Sequence, residues 1–200
     1  LRIAGLHYFS AFERWLQDNP EFENSSYDEM LKRFFNSSIM YSDGFSCSFI
    51  KLGQDAHEII ADFEIVQKQW ALENGINYDP NSWMIDILMA QIEKIKPDII
   101  YFQGTEWNIP GRFFPLRNND NLIKILKEEY PFIKKVISFS GYPSHIERLS
   151  HADFLFFSSP GNVQQYKNQG LDALMQSAQL YHSFDVTCLK RLEETGKQYD

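Results

Sequence analysis

The chain has 200 residues, of which 44% are hydrophobic and 16% aromatic, enough for one folded core and at most a small second lobe. Its net charge of −8 comes from 27 acidic and 19 basic residues, and the basic ones are scattered, which argues against nucleic acid as a partner. No apolar run reaches the roughly 18 residues of a membrane span, and Cys47 and Cys188 belong to no zinc motif, so we expect a cytoplasmic protein without a transmembrane segment or a metal.

An apolar run over residues 2–6 predicts the first buried strand, and four similar runs follow along the chain. They cover 57–61, 98–102, 135–139 and 153–157, each bounded by turn or cap residues. Their apolarity is continuous rather than alternating, which is typical of strands covered on both faces. The sequence therefore predicts an α/β fold built on a parallel sheet.

The segment from about 8 to 42 interrupts this rhythm and is predicted to be a helical insertion after the first strand. Within it, Ser26 and Glu29 have the spacing of a capping box, which predicts a helix from Ser26 to about residue 36. A further short helix is expected from residue 44 or 45 to Leu52, because Gly53 suits the position that follows a helix.

Four more helices are predicted in the rest of the chain, over about 63–74, 84–95, 122–130 and 162–168. In the first of them Trp70 is central to an apolar stripe and is expected in the core. Gln67 and Gln69 are expected to face solvent, with the alternative that one of them fastens the insertion. Asp120 is the predicted cap of the third. Residues 186–200 are polar and are predicted to form a helix or linker.

Several motifs that bind phosphate or activate a nucleophile are missing. The first strand is not followed by Gly-x-Gly-x-x-Gly, which disfavours an NAD enzyme, and there is no P-loop and no Gly-x-Ser-x-Gly elbow. Ligands of parallel sheets bind at the carboxyl ends of the strands. The candidate site residues are therefore the polar residues that follow predicted strands or begin helices.

Ser42 and Asp43 lie where the predicted insertion returns to the core and a helix begins. A carboxylate there can accept a proton from a hydroxyl group held above the sheet, which is the work of a general base. Asp43 can equally be an ordinary helix cap, because Asp at a helix start satisfies unpaired backbone amides. His7 directly follows the first strand and is a further candidate.

Gln103, Gly104 and Thr105 follow the third strand, and Ser140 and Gly141 follow the fourth. Glycine permits the backbone to approach a ligand, and amide and hydroxyl groups suit the hydroxyls of a sugar. The alternative is that both are simple glycine-containing turns.

Ser158 follows the fifth strand and precedes a predicted helix. It can contact an anion or a sugar hydroxyl, or it can serve as part of a helix cap. His182 comes after the last predicted elements and is either a ligand contact or a structural histidine. Neither residue type decides between these alternatives by itself.

Several runs of the chain form a wider pattern. They are Leu52-Gly53 before a strand, the helix containing Gln67-Lys68-Gln69-Trp70-Ala71, the strand entry Lys96-Pro97-Asp98-Ile99-Ile100-Tyr101, and the runs 152–160 and 181–185. In these runs the chain resembles the N-terminal half of bacterial GT-B glycosyltransferases, especially those similar to spore-maturation-type and polysaccharide-biosynthesis glycosyltransferases. The resemblance extends from about Tyr8 to Asp185 and is a pattern of strand edges.

The resemblance implies that residues 1–185 form a Rossmann-like N-terminal domain that receives the acceptor, a glycan or a small molecule. Residues 186–200 would lead to a C-terminal domain of the same protein that binds the nucleotide-sugar donor. The acceptor domain would bind no cofactor itself and would be inactive alone. The implied reaction moves a sugar from the donor to an acceptor hydroxyl in glycan or polysaccharide biosynthesis.

The resemblance also implies roles for the candidate residues. If the enzyme inverts the sugar configuration, Asp43 would be the base, with His7 the next candidate, and the insertion would overhang the cleft. The residues expected on the acceptor side are Tyr8, Ser42, Gln103, Gly104, Thr105, Ser140, Gly141, Ser158 and His182.

A non-catalytic α/β module for sugar sensing or protein interaction is the alternative function. A phosphorylated receiver version is disfavoured, because such domains carry Asp after the third strand and this chain carries Gln103 there.

Overall fold

Six parallel strands form one sheet in the computed structural model of the protein, which describes residues 1–6, 9–39, 41–103, 121–141, 151–170 and 176–181. Their order across the sheet is β2-β1-β3-β4-β5-β6. In chain order they are β1 (Arg2–Ala4), β2 (Glu58–Ile60), β3 (Ile99–Gln103), β4 (Lys135–Ser140), β5 (Phe154–Phe157) and β6 (Gln176–Gln179). Helices flank this sheet, so the predicted Rossmann-like α/β fold is confirmed.

The described helices lie between the strands. They are α1 (Phe9–Asp18), a 3-10 helix (Pro20–Asn24), α2 (Tyr27–Ser37), α3 (Gly44–Lys51), α4 (Glu64–Glu73), α5 (Trp83–Ile95), α6 (Leu122–Glu129) and α7 (Pro160–Asn168). The Ser26 hydroxyl accepts the Glu29 N–H at 3.4 Å and begins α2 as predicted. Gly53 follows α3 with a φ of +78°, a left-handed conformation that suits glycine.

The start of α6 differs in its cap from the prediction. The Asn121 side chain accepts the N–H groups of Ile123 at 2.9 Å and Lys124 at 3.3 Å. Asn121 is therefore the cap of this helix, and Asp120 lies outside the described residues. Asn ranks with Asp as a helix cap, so the two neighbours were chemically equivalent candidates.

All five predicted strands are present, with ends shifted by one or two residues, and a sixth was not predicted. The sequence of β6 is Gln-Ser-Ala-Gln, which contains no apolar run. It pairs in parallel with β5, in the register Phe156 to Ala178 and Phe157 to Gln179. Because β6 ends the sheet in the described part of the chain, its ladder with one neighbour suffices to form it.

The described residues between β1 and α3 are mainly helical, as predicted, and they build the core on one face of the sheet. Phe63 is at the centre of this core, with ring centroids 4.6 Å from Phe12, 5.3 Å from Phe34 and 5.8 Å from Phe22. Each of these rings is at most 4% exposed. Burying large aromatic side chains stabilises by about 1.5–3 kcal/mol each, so this segment is an integral crossover between β1 and β2.

Helices α5 and α6 cover the opposite face, where Ile92 and Leu126 pack with Ile3 and Phe102. Trp70 is 8% exposed, which confirms its predicted place in the core.

The expectation for Gln67 is wrong, because its side chain is 1% exposed and its amide nitrogen donates to the Ile60 carbonyl at 3.0 Å. A polar side chain can be buried on a helix face when it finds a hydrogen-bond partner, which here is the carbonyl of the last residue of β2. Gln69 is half-buried, and its amide nitrogen donates to the Glu73 carboxylate at 2.8 Å.

The connections reverse direction at β1. From β1 the chain crosses to β2 on one side, and it then returns to β3 on the other side. The last residues of β1 and β3, Ala4 and Gln103, are register partners. Crevices that bind ligands in such sheets form at this reversal, outside the carboxyl ends of the strands. We call the edge between the ends of β1 and β3 the switch point.

Candidate functional site

A buried arginine organises the switch point. The Arg2 guanidinium forms an ion pair with Glu58, and only 8% of the Arg2 side chain and 3% of the Glu58 side chain are exposed. Arg2 and Glu58 are register partners on neighbouring parallel strands, so their side chains leave the same face of the sheet. A charge at the start of each apolar strand is thereby neutralised inside the fold.

Arg2 also connects the pair to two of the predicted site residues, Ser42 and Gln103. Its Nη2 donates to the Ser42 carbonyl oxygen at 3.0 Å, and its Nη1 donates to Gln103 Oε1 at 3.1 Å. The two acceptors lie 61 positions apart in the sequence (103 minus 42). The structure therefore joins the backbone of Ser42, next to Asp43 in the chain, to the Gln103 side chain through Arg2.

Aromatic rings enclose this guanidinium. The Arg2 Cζ atom lies 5.4 Å from the ring centroids of both Tyr41 and Phe45, within the range of cation–π attraction. Phe45 stacks on Tyr101 with centroids 5.4 Å apart and planes at 17°. Burial raises the pKa of Tyr101 to about 12, against the opposing charge of Arg2, so its phenol is neutral at pH 7.

Glu58 holds the helix that carries Asp43. One carboxylate oxygen of Glu58 takes the Arg2 pair, and the other accepts the backbone N–H of Ser46 at 2.9 Å. Ser46 is in the first turn of α3, where backbone N–H groups have no partner within the helix. Glu58, the first residue of β2, therefore anchors the first turn of α3.

Asp43 precedes α3 at the capping position, but its carboxylate makes no capping hydrogen bond. The Ser42 hydroxyl instead accepts the Gly44 N–H at 3.2 Å, and the Asp43 carbonyl accepts Cys47 N–H at 2.9 Å. The Asp43 carboxylate is half-buried and bonds with the Cys47 thiol. Burial, followed by that bond, raises the pKa of Cys47, so the thiol stays neutral and donates.

A second group of predicted residues ties together the ends of β4, β5 and β6. The Ser158 hydroxyl donates to the Gly141 carbonyl at 3.0 Å, and the Gln179 amide donates to the Ser158 carbonyl at 3.4 Å. Ser140 is fully buried. Gln103 pairs in register with Phe139, so the Ser140 side chain leaves the opposite face of the sheet from Gln103. These residues therefore form a separate group at the same edge.

Five predicted site residues lie outside the described residues, namely His7, Tyr8, Gly104, Thr105 and His182. Three residues of the switch point were not singled out from the sequence: Arg2, Glu58 and Tyr101. A usable signal was present for two of them, because Arg2 and Glu58 are charged residues within apolar runs predicted to be buried strands. Buried charges require partners, so such residues point to each other.

Among the described residues, no three His, Cys, Asp or Glu side chains are grouped to hold a metal ion. No helix in those same ranges has the length and apolarity needed to cross a bilayer. No protein-family model, curated protein or solved structure matches the chain. A proposal about function therefore rests on the fold and on the chemistry of the switch point.

Proposed function

We propose that the chain is the acceptor-binding half of a GT-B glycosyltransferase, which moves a sugar from a nucleotide-sugar donor to an acceptor hydroxyl in glycan or polysaccharide biosynthesis. The observation that carries the proposal is that Arg2 binds both the Gln103 amide and the carbonyl of Ser42, the residue that precedes Asp43. That edge is where open parallel sheets bind small ligands. Carboxylate, amide and aromatic groups at one place suit a carbohydrate.

In this proposal Asp43 is the general base. The acceptor oxygen attacks the anomeric carbon of the donor sugar as its proton passes to the Asp43 carboxylate, and the bond from that carbon to the nucleoside diphosphate breaks. The carboxylate is suited to the step because it is half-buried and is not used to cap α3. The nucleoside diphosphate leaves with the electron pair, so the step needs no further reactant.

The nucleotide sugar belongs to a second domain in this proposal, and the natural protein is therefore the right material for a test. Its intact mass should exceed the 23.5 kDa of this chain by a domain of roughly 150 residues or more. A natural protein that ended near Asp200 would have no domain to bind the donor, and this result would favour a sugar-binding module without catalysis.

The activity test uses the natural full-length protein and measures release of nucleoside diphosphate from a panel of nucleotide sugars with mono- and oligosaccharide acceptors. Asp43→Asn should lower turnover by about 100-fold or more, the scale of a lost general base. Asp55→Asn is the matched control, because the Asp55 side chain is 88% exposed, and its turnover should stay within about twofold. Near-normal turnover of Asp43→Asn would remove Asp43 from catalysis.

A further inference from the structure

The amide of Gln103 is held in one orientation. Its Oε1 accepts from Arg2 Nη1 at 3.1 Å. A guanidinium donates hydrogen bonds and accepts none, so the oxygen end of the amide must face Arg2 and the nitrogen end must face away. This assignment follows from the chemistry of the partner, which settles the usual ambiguity between amide oxygen and nitrogen.

The nitrogen end of this amide is available to a ligand. Gln103 is half-buried at the last position of β3, and its Nε2 makes no hydrogen bond within the part of the chain that the structure describes. The Gln103 Nε2 atom is also not one of the fully buried side-chain atoms that lack a hydrogen-bond partner in the described part of the chain. Two N–H donors are therefore presented at the carboxyl end of a central strand, beside the end of β1.

The orientation is fixed by a chain of contacts beneath the amide. The Ser46 N–H binds Glu58, Glu58 binds Arg2, and Arg2 binds Gln103. The Arg2 and Glu58 side chains are more than nine-tenths buried, so they have little freedom to rearrange. A donor held in place before binding loses less entropy when the ligand arrives.

The charges around the amide favour a neutral ligand. The positive charge of Arg2 is matched by Glu58, and the Asp43 carboxylate follows Ser42, whose carbonyl Arg2 also binds. The chain as a whole carries a net charge of −8. Because Glu58 neutralises Arg2, the guanidinium beside the amide provides no unmatched positive charge to attract a phosphate or carboxylate, whereas the N–H groups of the amide can bind the neutral oxygen of a hydroxyl group or sugar ring.

We propose that Gln103 is a preset N–H donor that recognises an oxygen of a neutral carbohydrate, and that Arg2 is the positioning residue that presets it. The proposal rests on the acceptor-binding function given above. It adds that Gln103 donates, and does not accept, the hydrogen bond to the acceptor. Arg2 does not touch the ligand. It acts through Gln103, whose amide would otherwise be free to present either end.

The test uses Gln103→Glu in the natural full-length protein. This change keeps an oxygen facing Arg2 but replaces the outward N–H donors by a second carboxylate oxygen. Binding is measured on an array of neutral oligosaccharides ending in glucose, galactose, mannose or N-acetylglucosamine, and the affinity for the best ligand is measured by calorimetry. Affinity should fall about tenfold or more, and the melting temperature should stay within about 3 °C of the wild type.

Two further comparisons separate recognition from folding. Gln164→Glu makes the same charge change on an exposed face of α7 and should leave affinity unchanged. Arg2→Lys should weaken binding in the wild-type background but add nothing in the Gln103→Glu background, because Arg2 acts through that amide. If Arg2 had only a structural role, Arg2→Lys would weaken binding equally in the wild-type and Gln103→Glu backgrounds.

The outcomes distinguish this inference from the proposed function. If the wild type binds an oligosaccharide and Gln103→Glu binds it within about twofold, the role of Gln103 as a donor is wrong while acceptor binding stands. Tighter binding of inorganic phosphate than of any neutral sugar would overturn the neutral ligand class. If the wild type binds no oligosaccharide on the array, the acceptor-binding function itself fails.

Discussion

Removing the Arg2 side chain should lower the free energy of unfolding by more than the loss of an exposed ion pair would. In Arg2→Met the Glu58 carboxylate, whose side chain is 3% exposed, loses its charged partner and keeps the single bond from Ser46 N–H. Leaving one member of a buried pair uncompensated costs about 3–5 kcal/mol. That is a large part of the roughly 5–15 kcal/mol by which a domain is stable.

The double variant Arg2→Met with Glu58→Met sharpens this expectation. Both charges are then gone, and apolar side chains fill the space, so much of the penalty should be recovered. What remains is the unpaired Ser46 N–H and the lost bonds to Ser42 and Gln103, worth about 1–3 kcal/mol together. The double variant should therefore be more stable than Arg2→Met alone.

Urea unfolding of the wild type, Arg2→Met, Glu58→Met and the double variant measures their free energies of unfolding and yields the coupling between the two side chains. Arg33→Met is the control, because its partner Glu21 is 63% exposed and such pairs contribute about 0–1 kcal/mol. A loss below about 1 kcal/mol in Arg2→Met, or additive losses in the double variant, would refute the buried, coupled pair.

Two other positions give independent tests of the packing. Ser138 is fully buried on β4 with no partner for its hydroxyl in the described part of the chain, so Ser138→Ala should keep or raise the thermal stability, by up to about 1 kcal/mol. Burial opposes ionisation of Asp153, but hydrogen bonds from Val136 N–H and Lys127 outweigh it and lower its pKa. Its contribution of about 1 kcal/mol is present above the unfolded-state pKa near 3.9 and is lost as pH falls through the folded-state value. The stability difference between wild type and Asp153→Asn in urea titrations should therefore shrink on acidification, and a difference that grows would contradict the sign.

Local chemistry accounts for the elements that were predicted correctly. Continuous apolar runs indicated five of the six described strands, because a strand covered on both faces needs apolar side chains throughout. Ser26 and Gly53 marked helix ends through bonds and backbone angles that involve residues a few positions away. β6 was not predicted, because this short polar strand is held by backbone pairing with its neighbour β5 rather than by burial of its own side chains.

The candidate site divides in the same way. Polar residues after strand ends were enough to single out Ser42, Asp43 and Gln103, since all parallel strands end at one edge. The common contact of Ser42 and Gln103 with Arg2 required the strand order and the register that places Arg2 opposite both Glu58 and Tyr101. No pattern within a short window of sequence contains that information.

The sequence by itself determined the α/β class, the positions of most strands and helices, and the edge of the sheet where polar residues collect. Each of these depends on periodicity or on contacts between near neighbours in the chain. The tertiary structure alone decided that Gln67 is buried, that the Asp43 carboxylate does not cap α3, and that Arg2 orients Gln103. The bond from Arg2 to Gln103 joins residues 101 positions apart and exists once the strands have paired in register. Gln67 and Asp43 have nearer partners, Ile60 and Cys47, but their burial depends on how the helices pack on the sheet.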